Sequence, residues 1–343
     1  MMGRADFMRG NYGLMTHWLH SPVDSSVEDD NLSVLVKEWN VRVEAFDVEK
    51  LASQVAGTKA KWFILTIGQN TGFYCAPNAA YDEIVGYPES KCSKRDLFKD
   101  LAAELLKYDI KTIAYIPSGA PDKDYQAMEH LEWTDATMRD ENGQMLRFSD
   151  GYRMYDKSAD HRLANFQRKW ERVISEWAKN WGNLCAGWWV DGVYFSDSMY
   201  KHEETPNFSS FAAALRAGNP NAAITFNPGI YRFDSPKILS ELEDYSAGEL
   251  NSLLFTPFGR VNGRADFAEG KIGTAQLHIL SFLGGNWGQG PAPRYSEDLC
   301  RAYTKYIQDG GGGMTWDIPT GATGEIPADF MELLCQVGHA LHK

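Results

Sequence analysis

Short runs of apolar, β-branched and aromatic residues alternate along this chain with longer stretches in which apolar residues recur every three or four positions. The first pattern predicts β-strands and the second predicts amphipathic helices. Several of the short runs are apolar throughout, which is typical of parallel strands covered on both faces. The run at 276–284 would also suit a helix by its length and composition. The predicted strands are 12–19, 62–68, 111–118, 187–195, 222–229, 244–250, 276–284 and 312–319.

Six stretches between these runs have the helical pattern. Ser93 is a candidate N-cap for the second of them, and Gly182 is a candidate for the left-handed residue that ends the third. Strands that alternate with helices predict an α/β fold with a parallel sheet. Eight strands favour a closed (β/α)8 barrel of the TIM type, in a single domain over residues 1–343, rather than an open sheet. The predicted helices are 47–56, 94–107, 160–181, 205–217, 296–309 and 326–341.

Two segments, 20–45 and 119–159, are longer than a normal connection and are predicted as loops. In such a barrel, the loops and side chains at the carboxyl ends of the strands form the catalytic face. Two carboxylates at these ends, Asp191 and Glu249, stand out because each lies among aromatic or small residues. The polar or aromatic residues at the predicted strand ends are His17, Gln69, Asn70, Tyr115, Asp191, Asn227, Glu249 and Asp317.

Paired carboxylates across the mouth of a barrel suit glycoside cleavage. One carboxylate attacks or stabilises the anomeric carbon, and a second group protonates the departing oxygen. A single carboxylate at a strand end more often fixes a loop by hydrogen bonding. On the strand pattern alone, that structural role is the better interpretation for both Asp191 and Glu249.

Composition excludes several other classes of protein. The 343 residues are 43% hydrophobic, enough for a full core, and the net charge of −12 argues against a nucleic-acid partner. No apolar run is long enough to span a membrane, and the N-terminus lacks the apolar segment of a signal peptide. We therefore expect no membrane partner, while a periplasmic or secreted location after removal of a leader stays open.

Metal, phosphate and serine-hydrolase motifs are not found in the sequence. No HxH or HExxH spacing occurs among the eight histidines, so neither a metal nor another cofactor is expected. The glycines at 310–313 are not followed by GK[ST], and no G-x-S-x-G frame occurs. The five scattered cysteines favour reduced thiols, although one bridge stays possible. Aromatic residues form 13% of the chain and suit the C–H faces of sugars.

Collinear segments of this chain resemble the motifs of glycoside hydrolase family 29, the retaining α-L-fucosidases. YGLMTHWLH at 12–20 resembles that family's GIFIHWG strand, KEWN at 37–40 its EWY segment, and FILTIGQNTGF at 63–73 its LTaKHHDGF strand. KRDL at 94–97 is similar to KRDLV, and AYIPS at 114–118 to GLYYS. GWWVDG at 187–192 resembles the WFDG nucleophile strand, and DYSAGE at 244–249 the DYeTPE segment with the acid/base. NWGQG at 286–290 and GGGGMTWDIPTGATGEIP at 310–327 resemble its closing segments.

The resemblance implies a retaining, exo-acting glycoside hydrolase that releases α-L-fucose or a related sugar from an oligosaccharide or glycoside. Asp191 would be the nucleophile and Glu249 the general acid/base, with Glu241 and Glu243 as alternatives nearby. The β-sandwich that often follows the barrel in that family has no counterpart here. The residues expected to bind the sugar are His17, Glu38, Trp39, Gln69, Asn70, Tyr115, Trp189, Asn227, Trp287 and Trp316.

One departure from the family pattern affects the expected substrate. The two histidines of its KHHD motif, which hydrogen-bond the hydroxyls of fucose, are replaced here by Gln69 and Asn70. Amides both donate and accept, so a polar sugar can still be held, but a changed set of partners favours a changed glycone. A sugar-binding protein that has lost catalysis is the alternative function, and transglycosylation would use the same residues.

Overall fold

Eight parallel strands form the centre of the structure. The computed structural model describes residues 3–21, 31–133, 162–230, 236–253 and 268–341, together with 258, 260–261 and 264–265. Each of the eight runs with the strand pattern contains one strand of the main sheet. These strands are β1 (Tyr12–Thr16), β2 (Trp62–Thr66), β3 (Lys111–Pro117), β4 (Cys185–Asp191), β5 (Ala223–Phe226), β6 (Glu249–Leu250), β7 (His278–Phe282) and β8 (Gly313–Asp317).

Helices separate most of these strands along the chain. All six predicted helices are present, but the segment 20–45 is not wholly a loop, since half of it forms α1. The helices are α1 (Leu32–Glu44), α2 (Val48–Gly57), α3 (Ala79–Val85), α4 (Leu97–Leu106), α5 (Tyr125–Leu131), α6 (Ala164–Trp181), α7 (Ser196–Met199), α8 (Phe208–Leu215), α9 (Glu297–Asp309) and α10 (Ala328–Leu341). Of the second predicted loop, 119–159, residues 134–159 lie outside the described part.

The two predicted helix ends had different outcomes. Gly182 ends α6 with a φ of +52°, as expected for a glycine at this position. Ser93 does not cap α4, because its hydroxyl donates to the carbonyl of Arg95. Asp96 is the N-cap instead, and its carboxylate accepts from the amide of Lys99.

The strand order is β5-β4-β3-β2-β1-β8-β7-β6, so the first and last strands in sequence are neighbours. This order is the one expected when a parallel sheet curls into a barrel. No ladder joins β5 to β6 among the described residues. The amide of Asp244 donates to the carbonyl of Ile224 at 2.9 Å, and the Asp244 carboxylate accepts from the Ile224 amide, also at 2.9 Å. The two edges of the sheet therefore approach each other just before β6.

Alternating side chains along the strands pack into two separate apolar layers, because successive residues of a strand point to opposite faces. On β2, Trp62 and Ile64 belong to the layer on the concave face of the sheet. Phe63 and Leu65 belong to the larger layer under the helices. Burial of both faces explains why the strand runs are apolar throughout.

All five cysteines are free, and four of them are buried. This confirms the reduced state that the scattered spacing favoured. No helix in the described ranges is both long and apolar enough to cross a membrane.

Candidate active site

A cavity of about 520 Å³ opens at the carboxyl ends of the strands. Side chains from six of the eight strands, or from the loops directly after them, line it. Both carboxylates that the sequence singles out, Asp191 and Glu249, lie in its wall. The predicted residues that line the cavity are His17, Gln69, Asn70, Tyr115, Trp189, Asp191, Glu249 and Trp287.

Asp191 is the last residue of β4 and is surrounded by hydrogen-bond donors. One oxygen, Oδ1, accepts from the amide of Gly192 and from the side-chain nitrogen of Asn227, each at 2.8 Å. The other oxygen, Oδ2, accepts from the hydroxyl of Tyr115. Three donors therefore orient the carboxylate and compensate its negative charge inside the cavity.

Asn227, one residue past the end of β5, connects the two carboxylates. Its side-chain nitrogen donates to Asp191 Oδ1 at 2.8 Å and to Glu249 Oε2 at 2.6 Å. Since one nitrogen bonds both oxygens, these two oxygens can be at most about 5.4 Å apart. The amide orientation is fixed, because Asn227 Oδ1 accepts from the backbone of Gly229 at 3.1 Å.

Glu249, the first residue of β6, sits in an environment that favours its protonated form. Burial raises the pKa of this carboxyl to about 7, and the negative charge of Asp191 adds to the rise. The hydrogen bond from Asn227 and the charge of His17 act in the opposite direction. A carboxylic acid with a pKa near 7 can donate a proton at neutral pH.

A hydrogen-bonded chain of side chains leads from Gln69 to Asp191. Gln69 Nε2 donates to the hydroxyl of Tyr115 at 2.6 Å, and this hydroxyl donates in turn to Asp191. The ring of Tyr115 stacks on Trp189 with centroids 5.3 Å apart and planes 13° apart. Trp189 is itself fixed, because its indole nitrogen donates to the carbonyl of Ala247 at 3.1 Å.

His17 forms a buried ion pair at the opposite wall. Its Nδ1 lies 2.8 Å from Oδ1 of Asp317, the last residue of β8. Burial alone would lower the pKa of His17, but the charge and hydrogen bond of Asp317, aided by Asp191 and Glu249, raise it overall. The ring of Trp287 packs 5.7 Å from the imidazole. An imidazole whose protonated form is favoured by Asp317 therefore faces the same cavity as the two acidic groups.

Four of the residues expected to bind the sugar do not line this cavity. Asn227 is buried and bonds the two carboxylates instead, whereas Glu38, Trp39 and Trp316 lie elsewhere. Glu38 lies on the exposed side of α1. Trp39 points to the opposite side of that helix, where it packs 5.1 Å from Trp18 and donates to the carbonyl of Tyr74. Both residues lie on a helix, outside the sugar-binding site that the resemblance of the KEWN segment implied.

Trp316 is excluded from the cavity by the alternation of β8. Its neighbours Thr315 and Asp317 point to the concave face, where they bond Trp62 and His17. Trp316 therefore points outward into the layer under the helices, and its indole nitrogen donates to Thr304 on α9 at 3.0 Å.

Replacing Trp316 with phenylalanine should thus affect stability rather than substrate binding. The variant loses one buried hydrogen bond and some packing, so we expect the free energy of unfolding to fall by about 1–3 kcal/mol. Denaturant titration measures this loss, and steady-state kinetics should give an unchanged KM. A raised KM at unchanged stability would contradict the core position of this side chain.

The alternative acid/base candidates lie elsewhere. Glu243 is buried, and its carboxylate accepts from the amides of Phe226, Leu239 and Ser240 and from the hydroxyl of Thr225. It therefore ties the edge of β5 to the segment before β6. Glu241 is exposed and does not line the cavity.

The sequence patterns missed the outer part of the cavity wall. Apart from Pro117, which ends β3, these residues come from the connections after β3 and β4, which have no regular period that marks them. Only the aromatic pair at 194–195, one residue after the Asp-Gly at the end of β4, offered a signal. The residues are Pro117, Gly119, Ala120, Asp122, Trp133, Gly192, Tyr194 and Phe195.

Asn227 provides a test of this geometry. Removing its side chain with alanine deletes two hydrogen bonds to charged or ionisable groups and leaves both carboxyls less well oriented. We expect kcat to fall about 100-fold, which corresponds to one such bond lost in the transition state. Because the Asn227 hydrogen bond lowers the pKa of Glu249, the alkaline limb of the pH–rate profile should move to higher pH.

The matched control for Asn227 is Asn221→Ala, at the opposite end of β5. This variant should keep both the wild-type kcat and the wild-type pH profile. An Asn227→Ala enzyme with an unshifted alkaline limb would contradict the proposed coupling between this amide and Glu249.

Within the described ranges, no group of three or more histidine, cysteine, aspartate or glutamate residues is placed to hold a metal ion. The carboxyl groups of Asp191 and Glu249 both line the cavity. Two opposed carboxyls, one of them with a raised pKa, form a common arrangement at enzyme sites that cleave glycosidic bonds.

The sequence matches no protein-family model and no curated protein. The fold, in contrast, matches many solved structures. The endo-fucoidan hydrolase MfFcnA9 of glycoside hydrolase family 107 superimposes with a TM-score of 0.69 at 16% identity, over 98% of this chain and 64% of that one. The endo-fucoidan hydrolase P5AFcnA of the same family gives a TM-score of 0.66 at 14% identity, over 99% and 93%.

The α-L-fucosidase AlfC from Lactobacillus casei, in complex with its α-L-fucose product, gives a TM-score of 0.63 at 15% identity, over 99% of this chain and 98% of that one. Against two of the fucoidan hydrolases, the chain spans only 64% and 53% of their lengths. At these identities, the likeness establishes that the chain has the α/β barrel-like fold of these enzymes.

Proposed function

We propose that this chain is a retaining glycoside hydrolase that releases a terminal α-L-fucose or a related sugar by double displacement. The observation that carries the proposal is the bridge at Asn227, which holds Asp191 and Glu249 on one nitrogen inside the cavity. Retaining enzymes have carboxyls about 5–5.5 Å apart, whereas inverting enzymes need about 6.5–9.5 Å to admit a water. The upper limit of about 5.4 Å between the bridged oxygens supports the first geometry.

In the proposed first step, Asp191 Oδ2 or Oδ1 attacks the anomeric carbon as the bond to the leaving oxygen breaks. The departing electron pair takes the proton of Glu249, and a glycosyl ester forms on Asp191. In the second step, Glu249 removes a proton from water, and the water oxygen attacks the anomeric carbon. The ester bond breaks, and Asp191 returns as the carboxylate with Glu249 protonated again.

The proposed substrate class rests on two independent observations. Solved structures with this fold include fucoidan hydrolases and α-L-fucosidases. The cavity floor combines stacked aromatic rings, Tyr115 on Trp189, with polar side chains, which suits the apolar and hydroxyl faces of a sugar. We further propose that residues 1–343 form one catalytic domain and that the sheet is a closed (β/α)8 barrel.

The proposal is tested with a panel of aryl α-L-glycosides, fucosylated oligosaccharides and fucoidan. Release of a monosaccharide from α-L-fucosides or α-L-galactosides supports it, and proton NMR in the first minutes should show the α anomer. Release of the β anomer would contradict double displacement, and oligosaccharide products from fucoidan would contradict exo action. Binding of these ligands without release would favour the non-catalytic alternative.

A further inference from the structure

We propose that the ring of Tyr194 is a stacking platform for the leaving-group sugar, and hence a determinant of which aglycones are accepted. This inference rests on the proposed glycoside hydrolase function. Tyr194 follows Asp191 by three residues, in the connection between β4 and α7. It lines the same cavity as both carboxylates.

Tyr194 is the exposed residue of the cavity wall. Its side chain is large and 56% exposed, whereas the other described residues that line the cavity are buried or half-buried. A ligand that covers this ring would remove apolar surface from water, which is favourable. Since the ring lies in the wall of the cavity that contains both carboxylates, a bound sugar can provide that cover.

Two glycines hold this ring at the rim. A Cβ on Gly229 would lie 2.7 Å from Cε1 of Tyr194, so only a glycine lets the ring lie over the loop after β5. On the other edge of the ring, a Cβ on Gly192 would lie 3.7 Å from Cε2, which is an ordinary contact distance. Both glycines have positive φ, +80° and +70°, which favours glycine at these positions. The close approach of Gly229 therefore supports one edge of the ring, while part of the ring remains open.

Tyr194 lies close enough to the reacting groups for their charges to raise its pKa. The negative charge of Asp191 raises the pKa of Tyr194 far above its ordinary value, and partial burial, Glu249 and Asp122 add to this rise. The hydroxyl therefore stays neutral across the working pH range and can donate a hydrogen bond. A neutral ring with a polar edge matches a sugar, which has apolar C–H faces and hydroxyl edges.

The exposure of Tyr194 assigns this platform to the leaving group. Asp191, Glu249 and His17 are half-buried, whereas Tyr194 is exposed in the wall of the same cavity. The reacting sugar must place its anomeric carbon at Asp191. Its leaving group then departs toward the open side of the cavity, where Tyr194 lies.

The test compares two substrates that share a glycone. α-L-Fucosyl-(1→6)-N-acetylglucosamine has a sugar as its leaving group, whereas α-L-fucosyl fluoride has only a fluoride ion. In Tyr194→Ala, the ratio of kcat/KM for the disaccharide to kcat/KM for the fluoride should fall about tenfold, because binding of a non-reacting ring contributes to the transition state. Tyr194→Phe keeps the ring and should change the ratio by less than about threefold.

The control is Tyr108→Ala, which removes a similarly exposed tyrosine outside the cavity and should leave the ratio unchanged. An unchanged ratio would overturn the proposal, whether both substrates lose activity equally or neither does. An equal loss would mean that the ring contacts the glycone.

Calorimetry separates this proposal from the proposed function. If the wild-type protein binds these sugars but cleaves neither substrate, the hydrolase function fails, while Tyr194 can still be tested by affinity. Tyr194→Ala should then weaken binding of the disaccharide about tenfold relative to binding of free L-fucose. Equal effects on both ligands would overturn the platform.

Discussion

Replacing Asp191 with glycine should reduce kcat by at least about a thousandfold on every glycoside that the wild-type enzyme cleaves, because no other group can form the covalent intermediate. The loss should be of this size even for activated aryl glycosides, since a good leaving group does not replace the nucleophile. The variant should stay folded, because Asp191 lies at a strand end and its side chain is only half-buried.

Azide distinguishes a lost nucleophile from a damaged site. The space left by the carboxylate in Asp191→Gly can admit azide, which attacks the anomeric carbon directly and gives the β-glycosyl azide with inverted configuration. Partial recovery of turnover with that product is the expected result. The matched control is Asp197→Asn, six residues further on, where an exposed carboxylate pairs with Lys201. Full activity in Asp191→Gly, or loss of activity in the control, would remove the nucleophile assignment.

Most residues of the cavity floor were predicted by one rule, which is that side chains at the carboxyl ends of barrel strands form the catalytic face. The rule selected His17, Gln69, Asp191 and Glu249 before any family was considered, and the structure brings all four into one cavity. It works because eight parallel strands end at one face of a curled sheet, so that residues far apart in sequence meet there. The apolar runs locate the ends of β1, β2 and β4 well, since a change from apolar to polar residues marks them. The sixth strand is shorter than predicted, and Glu249 is its first residue.

The motif resemblance was less reliable where it took no account of the direction in which each side chain points. The KEWN segment at 37–40 suggested that Glu38 and Trp39 bind the sugar. Helix α1 instead directs Trp39 into the core and leaves Glu38 in solvent. Trp316 was assigned to the pocket beside Asp317, although adjacent residues on a strand point to opposite faces. Both errors could have been avoided by applying the periods of helix and strand to the motif itself.

Contacts between distant elements could not be predicted from the sequence. The bridge from Asn227 to Asp191 and Glu249 depends on the relative positions of β4, β5 and β6, which no local pattern encodes. The support of Tyr194 by Gly229 has the same origin, because 35 positions separate the two residues in the chain. The hydrophobic period of a sequence predicts helices, strands and the faces that they bury. The contacts described here are set by how the helices and strands pack against one another.

Replacing Glu249 with alanine or glutamine should produce losses that depend on the leaving group. With sugar leaving groups, the departing oxygen needs a proton, so kcat/KM should fall by about 10²–10⁴. With α-L-fucosyl fluoride, the first step needs no proton and kcat/KM should change much less. Azide should then accelerate the second step in Glu249→Ala and give the α-glycosyl azide, the opposite anomer to that expected from Asp191→Gly. Equal losses with both kinds of leaving group would contradict the acid/base role.

The pH dependence tests the same assignment. Because the pKa of Glu249 is raised to about 7, the wild-type kcat/KM for sugar leaving groups should decline as pH rises through about 7, where the acid loses its proton. In Glu249→Gln this alkaline limb should disappear, whereas the control Glu241→Gln, at an exposed position outside the cavity, should keep it. A limb that persists in Glu249→Gln would assign the proton to another group.

Stability gives a readout of Glu249 that does not depend on turnover. Its pKa is about 7 in the folded protein and 4.5 as the ordinary value, so the folded state holds the proton more tightly and loses stability as pH rises from about 4.5 to 7. Glutamine has no charge to bury beside Asp191. Above pH 7, Glu249→Gln should therefore be more stable than the wild type by on the order of 2–3 kcal/mol, with little difference at pH 4. Denaturant titrations at the two pH values measure this difference. A variant that is less stable at pH 8 would show that the Glu249 carboxylate contributes favourable contacts that outweigh its burial beside a second negative charge.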